Sequence, residues 1–219
     1  MIHFHIITLF PESLEGYFGA SMLKRAQQDK KIKVSFYNPR DFTKDKHRRV
    51  DQKPYGGGPG MVLEAESVLK AAAKAIGKKN TKDVEVIFFS PSGKQFEQSD
   101  AQKLAKSKKH VILLCGHYEG IDARVVKILR AKSVSVGPYV LTGGELPAAI
   151  VADAVTRNVP GVLGNASSLE DTRTASPEVY TRPEVLEWKK RKYKVPAVLL
   201  SGHHKKIEEW KENKKKGGK

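Results

Sequence analysis

The spacing of apolar positions predicts strands alternating with helices over the first 157 residues. Ile2 to Phe10 reads as a strand broken by Pro11, and Ile32 to Tyr37 alternates with a period of two. Between them, Leu14, Tyr17, Phe18, Met22 and Leu23 recur at helical spacing, predicting a helix over Glu12 to Gln28. Pro39 to Met61 is a long polar loop. Ala65 to Ile76 is an Ala-rich helix ended by Gly77, and Val84 to Phe89 is a strand stopped by Ser90-Pro91. A short helix covers Asp100 to Ala105. Val111 to Leu114 is a buried strand running into Cys115-Gly116. Ile121, Val125, Ile128 and Leu129 then define one helix face. Ser133 to Val136 alternates small polar with β-branched residues and stops at Gly137. Glu145-Leu-Pro147 suits the first turn of a helix running through Ala148 to Arg157, with Pro147 near the first position and Glu145 facing the positive dipole end.

This alternation predicts an α/β fold with a parallel sheet flanked by helices. Ligands in such sheets sit beyond the carboxyl ends of strands. Those ends are Ser90-Pro91, Gly116 to Gly120, and Gly137 to Gly144, each combining glycine or proline with polar residues. Gly143-Gly144 allows backbone to approach backbone or a ligand with no Cβ between them.

Beyond Pro160 the pattern changes. Pro160 to Pro183 has turn residues and no clear period, and a helix rich in Glu and Lys around Trp188 is expected next. The apolar Val195 to Leu200 and a basic amphipathic helix over Gly202 to Lys216 complete the chain. The expected organisation is an α/β domain over 1–160, a linker over 161–173 and a small basic helical domain over 174–219.

Charge sharpens this division. The 219 residues carry a net charge of +16. Residues 174–219 hold 13 Lys and Arg against 6 Asp and Glu, net +7, so the other 173 residues hold the remaining +9. Such a balance points to a polyanionic partner, nucleic acid before membrane. Cys115 is the single cysteine, which excludes an intrachain disulfide and fits a cytoplasmic protein. No secretory signal pattern and no apolar run of about 20 residues is present.

Several chemistries are disfavoured. The first strand runs into Phe10-Pro11-Glu12 rather than a G-x-G-x-x-G turn, and Tyr55 to Gly60 is glycine-rich but lacks the Lys-Ser/Thr of a phosphate loop. No histidine pair has the spacing of a helical zinc motif, and no G-x-S-x-G elbow exists. The stretch Arg40 to Asp51 mixes Lys and Arg with three carboxylates and His47, a composition suited to phosphates and base edges. Arg157 by itself reads as a helix C-terminal cation, and Asp171 as a cap. From the residues alone, an enzyme with a glycine-lined cleft and a non-catalytic basic RNA-binding α/β protein both remain open.

Thirteen segments, in order, resemble the bacterial tRNA (guanine-N1)-methyltransferases of the TrmD type, in the SPOUT superfamily. They are Leu9-Phe-Pro-Glu12, Pro39 to Thr43, Asp45-Lys-His47, Val50-Asp51, Pro54 to Met61, Ser90 to Gly93, Cys115-Gly116, Tyr118 to Asp122, Tyr139 to Pro147, Pro160 to Gly164, Glu170-Asp171, Tyr180 to Pro183 and Val198 to Gly202. The resemblance implies a deep trefoil knot, an obligate homodimer with its active site at the subunit interface, and S-adenosylmethionine as methyl donor. By position, the cofactor would be held by Phe88, Ser90, Pro91, Gly116, Glu119, Val136, Gly137, Pro138, Tyr139, Val140, Leu141, Gly143, Gly144 and Pro147. The tRNA guanosine at position 37 would meet His47, Asp51 and the catalytic pair Arg157 and Asp171. Mg²⁺ is implied with unassigned ligands. This chain departs from the family pattern at Pro138 and Gln52 (both commonly Asp), at His117 (commonly Arg) and at Phe88 (commonly Tyr). The segment from Asp171 to Tyr180 and the C-terminal domain are also shorter than in longer members.

Overall fold

The computed structural model describes residues 1–163 and 178–216, which fall in two compact units dividing after Val162. The first unit is built on a five-stranded sheet of β1 (Ile2–Ile7), β2 (Ile32–Tyr37), β5 (Val84–Gln95), β6 (His110–Leu114) and β7 (Lys132–Ser135). Its order is β2-β1-β6-β5-β7 and every pairing is parallel. A parallel sheet must be covered on both faces, and its strands show how. Phe4, Ile6, Val111, Leu113, Ile87 and Phe89 point to one side. There they pack against α1 (Glu12–Phe18), α2 (Ser21–Gln28), α4 (Gln98–Ser107) and α6 (Glu145–Arg157). Ile7, Ile112, Leu114 and Val86 point to the other, against α3 (Ala65–Ile76) and α5 (Ala123–Leu129). Consecutive residues thus serve opposite layers, which is why Val111 to Leu114 is a continuous apolar run and is wholly buried.

Three boundaries differ from the sequence expectation. The helix predicted over Glu12 to Gln28 is two helices, because Gly19 closes the first by donating to the Glu15 carbonyl at 2.8 Å. Strand β5 does not stop at Ser90-Pro91. It loops out one irregular segment and rejoins β7, so that both Phe89 and Lys94 pair with Val134. The polar loop over 39–61 contains β3 (Asp51–Gln52), which pairs antiparallel with β4 (Val62–Leu63).

The second unit corrects the reading around Trp188. This region is a hairpin, β8 (Val185–Trp188) with β9 (Arg191–Lys194), followed by α7 (Ala197–Leu200) and α8 (His204–Lys216). Leu186 and Trp188 alternate with Val185 and Glu187, a period of two that the surrounding charges obscured. Lys189 and Lys190 turn the chain with φ of 48° and 62°, the geometry of a two-residue type I′ turn. Within this unit Tyr180 lies 6.4 Å from Trp210, and Lys214 spans from Glu178 (2.7 Å) to the Trp210 ring (5.8 Å).

Candidate cofactor cavity and nucleic-acid face

The carboxyl ends of three adjacent strands, β6, β5 and β7, enclose a cavity of about 260 Å³. Its walls are Phe88 to Pro91, Gly116 to Gly120, Val134 to Gly137, Tyr139 to Gly144 and Pro147. Of the fourteen residues expected around a cofactor, Pro138 alone is outside this lining. Phe89, His117, Tyr118, Gly120, Val134, Ser135 and Thr142 join it; His117, Tyr118, Gly120 and Thr142 lie in the strand ends marked by glycine, whereas Phe89, Val134 and Ser135 belong to the strands themselves.

Glycine is needed here for two separate reasons. Gly144 donates to the Gly116 carbonyl at 2.9 Å, and a Cβ on it would lie 2.6 Å from the Cys115 Cα, so the loops after β6 and β7 touch backbone to backbone. Gly60 has φ of +90°, and a Cβ there would meet the Glu119 carboxylate at 2.6 Å. Gly60 is therefore packed against the rim of the cavity, with the Glu119 amide bonded to the Met61 carbonyl at 3.0 Å, while Gly56 to Gly58 have open space around them. At Gly60 the missing Cβ lets the chain pass Glu119.

The loop after β7 holds its own shape. Ser135 Oγ bonds both the carbonyl and the amide of Gly137 (3.0 and 3.2 Å), and Tyr139 folds back so that its hydroxyl donates to the Val136 carbonyl at 3.1 Å. Beneath it, Glu145 in the first turn of α6 accepts from Thr8 Oγ1 at 2.6 Å and pairs with His117 Nε2 at 2.8 Å. Phe10 sets an edge against the His117 ring (4.8 Å), and Arg40 lies over Phe10 while bonding the Leu9 carbonyl at 3.0 Å. Burial and the nearby Glu145 push the Cys115 thiol well up, so it is no nucleophile.

The expected RNA-facing residues lie on different supports. Asp51 pairs with Leu63, which is bonded in turn to Gly120 (3.0 Å) and Asp122 (3.0 Å), so β3 and β4 hang on the cavity's second loop. His47 is exposed in a turn where Asp45 accepts from its amide at 2.8 Å and from the Arg49 guanidinium at 3.0 Å. Arg157 does not line the cavity; it ends α6, roughly 18 Å along the axis from Glu145 at 1.5 Å per residue. Asp171 lies outside the described residues.

Which groups could the site hold? Apolar Phe88, Pro91 and Leu141, exposed loop backbone and the single carboxylate of Glu119 suit an organic cation with a flat ring. The cavity offers no oxygen cage for Mg²⁺ among the described residues. The only described cluster of potential metal ligands is His3, His5 and His110, at the other end of the strands. Its imidazoles are already paired: His5 with Tyr37 (3.1 Å) and His110 (3.2 Å), His3 with Ser35 (2.9 Å). Burial, with Lys33 and Lys79 nearby, lowers His3 to about 4 and His5 to about 3. The positive potential of those lysines opposes a cation there.

The family profile described as tRNA (Guanine-1)-methyltransferase TrmD matches residues 2–218. A tRNA (guanine-N(1)-)-methyltransferase of Dictyoglomus turgidum is 47% identical over 216 residues, covering 96% of this chain and 84% of that protein. The same-named protein of Clostridioides difficile is 45% identical over 215 residues, covering 96% and 90% respectively. One from Campylobacter jejuni is 42% identical over 208 residues, 93% and 88%. With a profile match across nearly its whole length, the chain belongs to the TrmD family of tRNA (guanine-N1)-methyltransferases.

Proposed function

We propose that the protein transfers a methyl group from S-adenosylmethionine to N1 of the guanosine at position 37 of tRNA, giving 1-methylguanosine in the cytoplasm and so supporting reading-frame maintenance. The observation that carries this reading is the glycine-walled cavity at the ends of β5, β6 and β7, in a chain of this family. The donor supplies a methyl already activated on a sulfonium. The chain's residues do the rest. Backbone groups of Val136 to Leu141 would hold the donor's adenine, Phe88 and Pro91 would pack on its apolar parts, and Glu119 would offset its positive charge. Much of the rate gain is then positioning.

The guanine N1 carries a proton that must leave. Asp171 is the proposed general base. A free Asp titrates near ~3.9 and is by itself poorly matched to a weakly acidic N–H. Negative charge developing on O6 therefore needs a fixed cation, the proposed role of Arg157. Asp51 and His47 bind the RNA around the target. No Mg²⁺ step is assigned, since the described residues offer no oxygen cage for it.

The distance of Arg157 from its own cavity supports a homodimer with the site shared between subunits. So does the apolar surface beside the cavity mouth: Val140 is 83% exposed and Leu146 62%, with Ile150 one helical turn further. The trefoil threading is part of the same proposal, supported by the membership of the chain in this family.

The test is methyl transfer to one tRNA transcript carrying G or A at position 37, with donor binding measured separately against ATP. Labelling confined to G37, and binding confined to S-adenosylmethionine, is expected. Equal labelling of both transcripts overturns the proposal.

A further inference from the structure

The hairpin of the second unit has no role in the chemistry, yet it presents an unusual surface. Its cross-strand pairs Leu186–Tyr193 and Trp188–Arg191 place four side chains on one face. Trp188 is 63% exposed, Leu186 and Tyr193 each 52%, and Arg191 is also exposed. The other tryptophan, Trp210, is half-buried against Tyr180 and Lys214, whereas Trp188 has no ring partner among the described residues. The opposite face carries Lys192 and Lys194, and Glu187 is the only carboxylate in the hairpin.

The turn adds a second, independent observation. Type I′ turns need positive φ at both central residues, which Asn-Gly supplies at little cost. Here both positions are lysine, at 48° and 62°. A sequence that keeps non-glycine residues in this region keeps two cations at the tip at the expense of backbone comfort.

We infer that the 185–194 hairpin is a stacking platform for unpaired RNA bases, with Trp188 and Tyr193 against the base faces and the tip lysines on the adjoining phosphates. This rests on the proposed tRNA substrate and adds a second contact that the cavity does not provide. Flat π faces beside an arginine suit nucleobases of any sequence. The charge fits phosphate and the face holds one aliphatic residue, Leu186, too little apolar bulk for a lipid-inserting surface.

The test uses the full-length protein and a tRNA transcript, with equilibrium binding across a salt series. Trp188→Ala should weaken binding roughly 5- to 100-fold, the value of one lost base stack. Trp188→Phe, which keeps a flat ring, should retain most of the affinity. Replacing Lys189→Asn together with Lys190→Gly preserves the turn and removes two charges. The slope of log K against log salt should become shallower by about 1.4 to 1.8. Each variant should keep wild-type S-adenosylmethionine binding and wild-type kcat at saturating tRNA, with the change in KM. Wild-type affinity in Trp188→Ala and an unchanged salt slope in the double variant, while the parent protein binds and methylates tRNA, overturn the platform alone. So does binding of anionic vesicles that Trp188→Ala abolishes with tRNA affinity intact. A parent protein that binds no tRNA overturns the substrate reading and the platform with it.

Discussion

His117 Nε2 and Glu145 Oε2 meet at 2.8 Å beneath Gly143, joining the loop after β6 to the first turn of α6. The same carboxylate takes a hydrogen bond from Thr8 at the end of β1, so one buried acid ties three segments together. A Cβ on Gly143 would fall 2.4 Å from the His117 ring, which shows how closely the loop rests on this pair.

Removing that acid should be costly. Glu145→Ala strands Thr8 and His117, and an unsatisfied buried group costs about 1–3 kcal/mol. We expect a destabilisation of about 2–4 kcal/mol in urea melts, with weaker donor binding. Adding Thr8→Val should recover part of it. A Glu145→Ala protein as stable as its parent would show that the pair is decorative.

Two glycine substitutions separate packing from flexibility. Gly144→Ala drives a Cβ into the Cys115 backbone and should cost about 1–3 kcal/mol and much of the donor affinity. Gly16→Ala, inside α1 with open space around its Cβ, should instead stabilise by about 0.5–1 kcal/mol. Melting temperatures that move in the same direction would contradict the geometry.

Acid should weaken the fold through the histidine cluster. His5 is 1% exposed, and its folded pKa of about 3 lies below the ordinary 6.5. The unfolded chain therefore takes up the proton first. The associated stability is complete above pH 6.5 and declines as pH falls toward the folded value, by on the order of 2–3 kcal/mol at pH 4. His5→Gln keeps polar contacts without titrating, and should flatten the profile of urea midpoint against pH between 6.5 and 4. An equally steep profile would place the acid sensitivity elsewhere.

The two proposed catalytic residues make different predictions. Asp171→Asn should lower methyl transfer roughly 100-fold or more while leaving donor binding intact. Arg157→Ala should lower kcat by about 10²–10³. If the site spans two subunits, mixing Arg157→Ala chains with chains whose cavity is blocked by Leu141→Arg should restore partial activity. Mixed chains with no recovery would place Arg157 and the cavity in one subunit's site.

Much of this site was legible before any coordinates, because it is made of strand ends. A period-two run located β2, apolar stretches ended by Pro11 and by Cys115-Gly116 located β1 and β6, and the glycines after β6 and β7 marked where loops had to approach something closely. The sheet order was not legible: nothing local says that β6 lies between β1 and β5. Nor was the second tie of β5 to β7, since Ser90-Pro91 is a sound stop signal that tertiary pairing overrides. The hairpin at Trp188 was not legible either, because its dense Lys and Arg beside Glu187 suit a charged helix surface as well as a strand. The Thr8–Glu145–His117 connection joins positions far apart in sequence, and only packing reveals it.

The sheet order has a kinetic consequence. His5 and His110 touch across 105 positions of chain, so β1 cannot complete its pairing until β6 exists. The cavity needs β7 as well, which reaches the sheet only at its far edge. Long-range parallel pairing closes slowly. The cofactor cavity is therefore among the last features to form, and during synthesis no donor can bind until α6 has left the ribosome. Bound donor should then act on the unfolding rate of the finished protein and leave the rate of its assembly untouched.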